Sequence, residues 1–216
     1  MKFSYSFDDI VGFSQVSAIA EEYDGSPTPR KLQNEFISPR PVSANSLATA
    51  GVLAFGPFVE GKVTVDGEVD RPVAEGLQNF LRQPFVHFSK VSFRPKEPNR
   101  RPNRALLNTP SSELDLPEIA NGFDRDREFL LTFHDSSKRV GWSMDLPNID
   151  IPSNAGVFAA RFEPFTREWW APFIAATVLI AEAFEIGTVW LPEFRGTGDR
   201  GLRDALRAID MRLEIG

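Results

Sequence analysis

Residues 167–194 read REWWAPFIAATVLIAEAFEIGTVWLPEF. Alanine and large aliphatic residues dominate the first two thirds, a composition that propagates a helix and suits one buried on most sides. Pro172 fits a first helical turn, where a missing N–H costs little. Gly187 fits the place just past a helix end. TVWLPEF then reads as a strand. A long helix that enters a strand through so short a joint is typical of α/β layers. The stretch predicts an α/β fold, with a three-layer α/β unit over residues 104–216.

Working outward, residues 196–201, GTGDRG, stand before a helical pattern that puts Leu202, Ala205, Leu206 and Ile209 on one face. REFLLTFHD (127–135) reads as a buried strand and KRVGWSMDL (138–146) as its neighbour. NIDIPSNAG (148–156) reads as turn-rich. ALLNTPSSELDL (105–116) is an apolar run entering a loop of small and acidic residues. RPKEPNRRPNR (94–104) holds three prolines, five basic residues and one acid, with no apolar residue, and so marks a boundary. No aromatic is interleaved there for base stacking, which favours a solvated basic linker over a nucleic-acid patch.

The first hundred residues mix patterns. KFSYSF (2–7) alternates as a strand with Phe3, Tyr5 and Phe7 on one face, and FSQVSAIAEEY (13–23) reads as a short helix. Pro27, Pro29, Pro39 and Pro41 indicate a long surface connection. ANSLATAGVLAFGPF (44–58) suits a tightly packed helix or a Gly-punctuated turn, and Asp66-Gly67 signals a hairpin. RPVAEGLQNFLRQ (71–83) predicts a helix with Val73, Leu77, Phe80 and Leu81 on one stripe. FVHFSKVSF (85–93) reads as a strand with a slip at Ser89-Lys90. Residues 1–103 are thus expected to form a smaller α+β unit, or the first part of one continuous domain.

Bulk properties narrow the function. The 42% hydrophobic content supports a real core. The net charge of −6 disfavours nucleic acid as a partner. With no cysteine, thiolate catalysis and cysteine-ligated metals are excluded within the chain. The start, MKFSYSFDDIV, has no signal-peptide h-region, and the longest apolar run, Trp169 to Ala181, is too short for a bilayer span. A soluble, cytoplasmic protein, or one within a virus particle, is expected, without membrane insertion.

His134, Asp135 and Ser136 are triad types, but neighbours on a strand point to opposite faces and form no relay. The two histidines, His87 and His134, lack metal-ligand spacing; His87 reads as a core histidine. Gly196, Gly198 and Gly201 precede a helix and suit an anion loop. Trp169 and Trp170 suit a partner contact.

One resemblance emerges from these pieces. SSELDL (111–116) lies where an SGGxDS loop would follow a strand. APFIAATVLIAEAFEIGTVWL (171–191) is similar to a later helix–Gly–strand unit, and VAEGLQNFLRQPFVHFSKVSFRP (73–95) to a small amino-terminal subdomain. Together they resemble the 7-cyano-7-deazaguanine synthase-like branch of the PP-loop ATP pyrophosphatases, over about half of the chain. The resemblance implies ATP with Mg as cofactors and puts Ser111, Ser112 and Asp115 against phosphate, with Gly196 and Gly198 as a second anion loop. The motif departs from the family pattern, because Ser112 and Glu113 stand where glycines would close on a pyrophosphate. At about 4 Å and an effective dielectric of about 20, Glu113 would repel each phosphate charge by about 4 kcal/mol. The zinc-binding cysteines of the deazaguanine synthases are missing.

Two functions follow as expectations. The first is a non-catalytic subunit of a larger assembly, such as a virus particle or a multiprotein defence system, with no cofactor and with other protein subunits as partners. The second is a degenerate PP-loop-type nucleotide-binding protein or ATP-dependent enzyme.

Overall fold

The computed structural model describes residues 1–8, 12–35, 42–94, 100–111, 124, 127–136, 143–196 and 200–216. A nine-stranded mixed sheet with helices makes this an α/β protein. Its parallel part is β8 (Asn103–Asn108), β9 (Glu128–Asp135), β11 (Asn148–Ser153), β12 (Ile186–Leu191) and β13 (Arg212–Ile215). In space these run β11-β9-β8-β12-β13. Numbered along the chain within that set, the order is 3-2-1-4-5. The direction of winding reverses between β8 and β12.

An antiparallel meander extends the sheet beyond β11. It comprises β1 (Lys2–Asp8), β2 (Phe13–Ile19) and β3 (Lys31–Asn34). Residues 13–19 are therefore a strand, where a short helix was expected. Ser14, Val16 and Ala18 are buried in period two, and the buried serine disguises that alternation. The join to β11 is narrow, a single register pair, Ser153 with Asn34. Side chains complete it. Fully buried Asn34 donates from Nδ2 to the Ala176 carbonyl (3.2 Å) and accepts from Ser153 Oγ (2.8 Å). Asn154 accepts from the Gln33 N–H and donates to the Lys31 carbonyl, both at 2.8 Å.

Residues 148–153, expected to be turn-rich, form a strand between β3 and β9 despite Asn148, Asp150 and Pro152. Ile149 and Ile151 are buried, and alternation decided the outcome over turn propensity. The expected neighbour of β9 from residues 138–146 is reduced, among the described residues, to β10 (Ser143–Asp145), and it pairs with β11 instead. Asp66-Gly67 does turn, with Gly67 at φ 104°, but makes no hairpin. β4 (Lys62–Val63) pairs in parallel with β6 (His87–Phe88), and β5 (Val69–Asp70) with β7 (Val91–Ser92). The break between β6 and β7 is the expected slip at Ser89-Lys90. His87 is exposed, not a core residue.

The described helices are α1 (Ala44–Phe55), α2 (Arg71–Leu81), α3 (Ala155–Ala159), α4 (Arg167–Ala181) and α5 (Arg200–Ala208). Four departures from sequence expectation are instructive. Pro172 sits inside α4, beyond its first turn, and removes the N–H that the Glu168 carbonyl would otherwise accept. The helix ends earlier than Gly187, and Glu185 takes the left-handed conformation at φ 52°. Gly187 lies in β12 instead, where a Cβ would come 2.1 Å from the Arg101 carbonyl oxygen. A last strand, β13, follows α5 and was not foreseen.

Both halves of the chain feed one core. Met1, Phe3, Val16 and Leu32 share a cluster with Phe55, Leu77, Leu107, Phe133, Trp170, Phe173 and Leu206. The basic stretch before β8 is also tied inward. Arg101, 7% exposed at its side chain, pairs with Glu182 at 3.6 Å. Arg104 reaches Glu128 (3.1 Å) and Glu214 (2.9 Å) and lies over the Trp190 ring. Arg101 ties the stretch before β8 to the end of α4, and Arg104 braces β8 against β9 and β13, so neither belongs to a solvated linker.

Candidate functional site

In open α/β sheets, ligands bind beyond the carboxyl ends of the parallel strands, close to the reversal of strand order. A cleft of about 460 Å³ lies over the carboxyl ends of β8, β9 and β11, on the β9 side of β8 and away from β12. Its floor is apolar: Phe133 from β9, with Trp169 and Phe173 from α4. The Phe133 and Phe173 rings are 5.5 Å apart, and those of Trp169 and Phe173 are 5.0 Å apart. α3 supplies one wall through Gly156, Val157 and Ala159, with Ala160 just beyond it. Pro110 and Ser111, in the loop after β8, supply another. A Cβ built on Gly156 would meet no atom within 4 Å. Its size and apolar lining with a few polar groups match a small-molecule site.

Strand alternation sorts the polar groups at the cleft. Phe133 faces α4, so Asp135 points to the cleft side and His134 to the opposite face. There the His134 Nε2 lies 2.9 Å from Asp150 Oδ1, and Ser143 Oγ donates to Asp150 Oδ2 at 2.5 Å. Burial alone would raise the Asp150 carboxyl; hydrogen bonds from Ser143 and His134 and the charge of the imidazole outweigh it and hold the group below the usual carboxylate range. His134 thus pairs across strands and not with Asp135 or Ser136. The trio Ser143–Asp150–His134 has its carboxylate in the middle, so the imidazole cannot take a proton from the serine as a nucleophilic triad requires. The partner strand of His134 was not readable from sequence, because β11 itself was not.

The other expected site residues are placed as follows. Ser111 lies on the cleft rim. Gly196 follows β12, with φ 125°, at the carboxyl edge on the far side of β8. Ser112, Glu113, Asp115 and Gly198 fall outside the described residues. Gly201 packs between helices: its Cβ would come 2.9 Å from Phe80 Cα, and that of Gly76 3.0 Å from the Asp204 carbonyl oxygen. α2 and α5 therefore meet backbone to backbone through one glycine on each. Trp169 and Trp170 are 4% and 0% exposed, so they are core residues and not a presented partner surface. Trp170 Nε1 donates to the Glu193 carbonyl at 2.8 Å, tying α4 to the loop after β12. Among the described residues no group of three His, Asp or Glu side chains is arranged to hold a metal ion, and no helix is long and apolar enough to cross a membrane.

No protein-family model, no curated protein and no solved structure matches the chain.

Proposed function

We propose that this protein binds a small molecule in the cleft over the carboxyl ends of β8, β9 and β11. The observation that carries this reading is the cleft itself: about 460 Å³, floored by Phe133, Trp169 and Phe173, beyond the carboxyl ends of parallel strands. The PP-loop-type reading is a narrower form of it. It is supported by the 3-2-1-4-5 order and by a β8 at the middle of the parallel strands whose following loop brings Ser111 to the cleft rim. In that form, ATP with Mg would place its phosphates over residues 111–115. Thermal shift tests the narrower form: a nucleotide at 100 times its Kd raises stability by about 2.7 kcal/mol. An unchanged melting temperature at millimolar ATP, AMP and Mg²⁺ removes it.

A second reading, as a non-catalytic subunit of a larger assembly, is supported by two aromatic side chains. Phe85 and Phe93 are 83% and 75% exposed, area that a partner would cover. If they anchor a partner, light scattering of the purified protein with its co-purified components shows a complex, and Phe85→Ser with Phe93→Ser dissolves it. A monomer that captures nothing argues against this reading.

A further inference from the structure

The two edges of the large sheet are finished differently. At β13 the edge is blunted, because Arg203 Nη1 donates to the Leu213 carbonyl at 2.6 Å. β1 is the opposite edge, and it is covered only at its start. There the Phe3 N–H donates to the Thr64 carbonyl (2.8 Å), and the Met1 carbonyl accepts from the Thr64 N–H (2.9 Å). Odd-numbered residues of β1 therefore turn their backbone groups outward. β2 agrees. Its even-numbered residues bond toward β3, as the Ala18 N–H does to the Arg30 carbonyl (2.9 Å), so its odd-numbered ones serve the even-numbered residues of β1. The N–H and C=O of Tyr5 and of Phe7 thus point away from the sheet, and among the described residues they have no partner. No lysine, proline or bulge protects residues 3–7, and Phe7 is 39% exposed.

From this we infer that the open edge of β1 pairs with β1 of a second copy of the chain, antiparallel, about a two-fold axis through Ser6. The pairing does not depend on what the cleft holds. KFSYSFD (2–8) matches itself in that register. Each Tyr5 N–H donates to a Phe7 carbonyl and each Phe7 N–H to a Tyr5 carbonyl, so the free groups of both residues are all used. An axis through Tyr5 would need the Phe3 N–H, which Thr64 already holds. On the core face Tyr5 and Phe7 form cross-strand aromatic pairs. On the other face the two Ser6 side chains meet. Each accepts from Gln15 Nε2 (2.7 Å) and keeps a hydroxyl hydrogen to donate. At both ends Asp8 of one copy stands opposite Ser4 and one diagonal step from Lys2 of the other, so the charges are complementary. A strand of another protein would have to reproduce these matches, whereas a second copy supplies them by symmetry.

The chain holds no cysteine, so a single introduced one reports the register. Ser6→Cys should link two copies under mild oxidation. Residues facing each other in a non-hydrogen-bonded pair have Cα atoms about 4.5 Å apart, within disulfide reach. Ser4→Cys should link slower by about tenfold or more, because the two Ser4 residues lie about 14 Å apart along the strand. Sedimentation equilibrium of the full chain reads the dimer itself. Phe7→Pro deletes an outward N–H and spares the bonds to β2, and should weaken the dimer by about tenfold or more. If Phe7→Pro does not fold, Ser6→Lys and Ser6→Asp serve instead: each alone should be monomeric, and the two mixed should pair. A wild-type chain that stays monomeric at millimolar concentration overturns the inference, even if the edge takes up a different protein. So does Ser4→Cys linking as fast as Ser6→Cys, or a dimer undiminished in folded Phe7→Pro or in Ser6→Lys alone.

Discussion

Gly76, Gly201 and Gly156 are all helical glycines, yet they do opposite things. At Gly76 and Gly201 a methyl group would strike the backbone of the facing helix, at 3.0 Å and 2.9 Å respectively. Gly76→Ala and Gly201→Ala are each expected to lower stability by about 1–3 kcal/mol, read from urea unfolding midpoints. Gly156→Ala meets nothing and should be neutral or stabilising by up to about 1 kcal/mol. A second residue-scale expectation concerns pH. The folded-state pKa of Asp150 is depressed, so its contribution is full above the unfolded value of about 3.9 and is lost as pH falls through the folded value. Asp150→Asn should therefore flatten the acid side of the stability curve below about pH 4, and an unchanged acid limb would contradict the pairing. Little of this was legible in sequence. GTGDRG looks the same whether its glycines admit an anion or a neighbouring helix. WW looks the same exposed or buried, because the deciding partners, Phe80, Phe165 and Glu193, lie far along the chain or in a loop whose path only the fold sets.

Elements with one dominant period were readable and those with mixed character were not. α2 was plain because Val73, Leu77 and Phe80 repeat at helical spacing and are buried. β9 was plain because Phe129, Leu130, Leu131 and Phe133 fall within five residues. β2 and β11 were missed because polar residues stand at positions that face the core or the join. Ser14, Asn34 and Ser153 are all buried, and each is acceptable there only with neighbours that sequence does not reveal. The join between β3 and β11 gives this point a magnitude. Asn34→Leu removes the bonds to the Ala176 carbonyl and from the Ser153 hydroxyl, which keeps the Gln33 carbonyl as acceptor, at a cost of about 1–3 kcal/mol. Amide exchange should speed first in residues 13–19 and 31–34, ahead of β8 and β9. Uniform acceleration across the sheet would mean that the join is not a separate weak point.

At the scale of the whole molecule, residue 103 stands where the two expected parts of the chain meet, and one continuous domain was the alternative expectation. The sheet runs through it, and Phe3 and Leu32 share a cluster with Phe133 and Leu206. Separate chains 1–103 and 104–216 are each expected to lack cooperative unfolding, and the whole chain to show coincident transitions by far-ultraviolet circular dichroism and tryptophan fluorescence. Two separated transitions would restore the two-unit picture. The α/β class itself was legible from the helix–strand joint at 181–186, because tight joints constrain layers even when the exact end of the helix is misplaced.

Consider finally the molecule under load. Force applied across the sheet is shared along the ladders from β11 to β13, but between β3 and β11 it passes through one residue pair and a few side-chain bonds. The sheet should tear there first. Ser153 and Asn154 are also the residues that lead directly into α3, so the same tear slackens the wall of the cleft. Pulling on the amino-terminal meander would then loosen that wall before the central strands part, because the join and the cleft share the carboxyl end of β11.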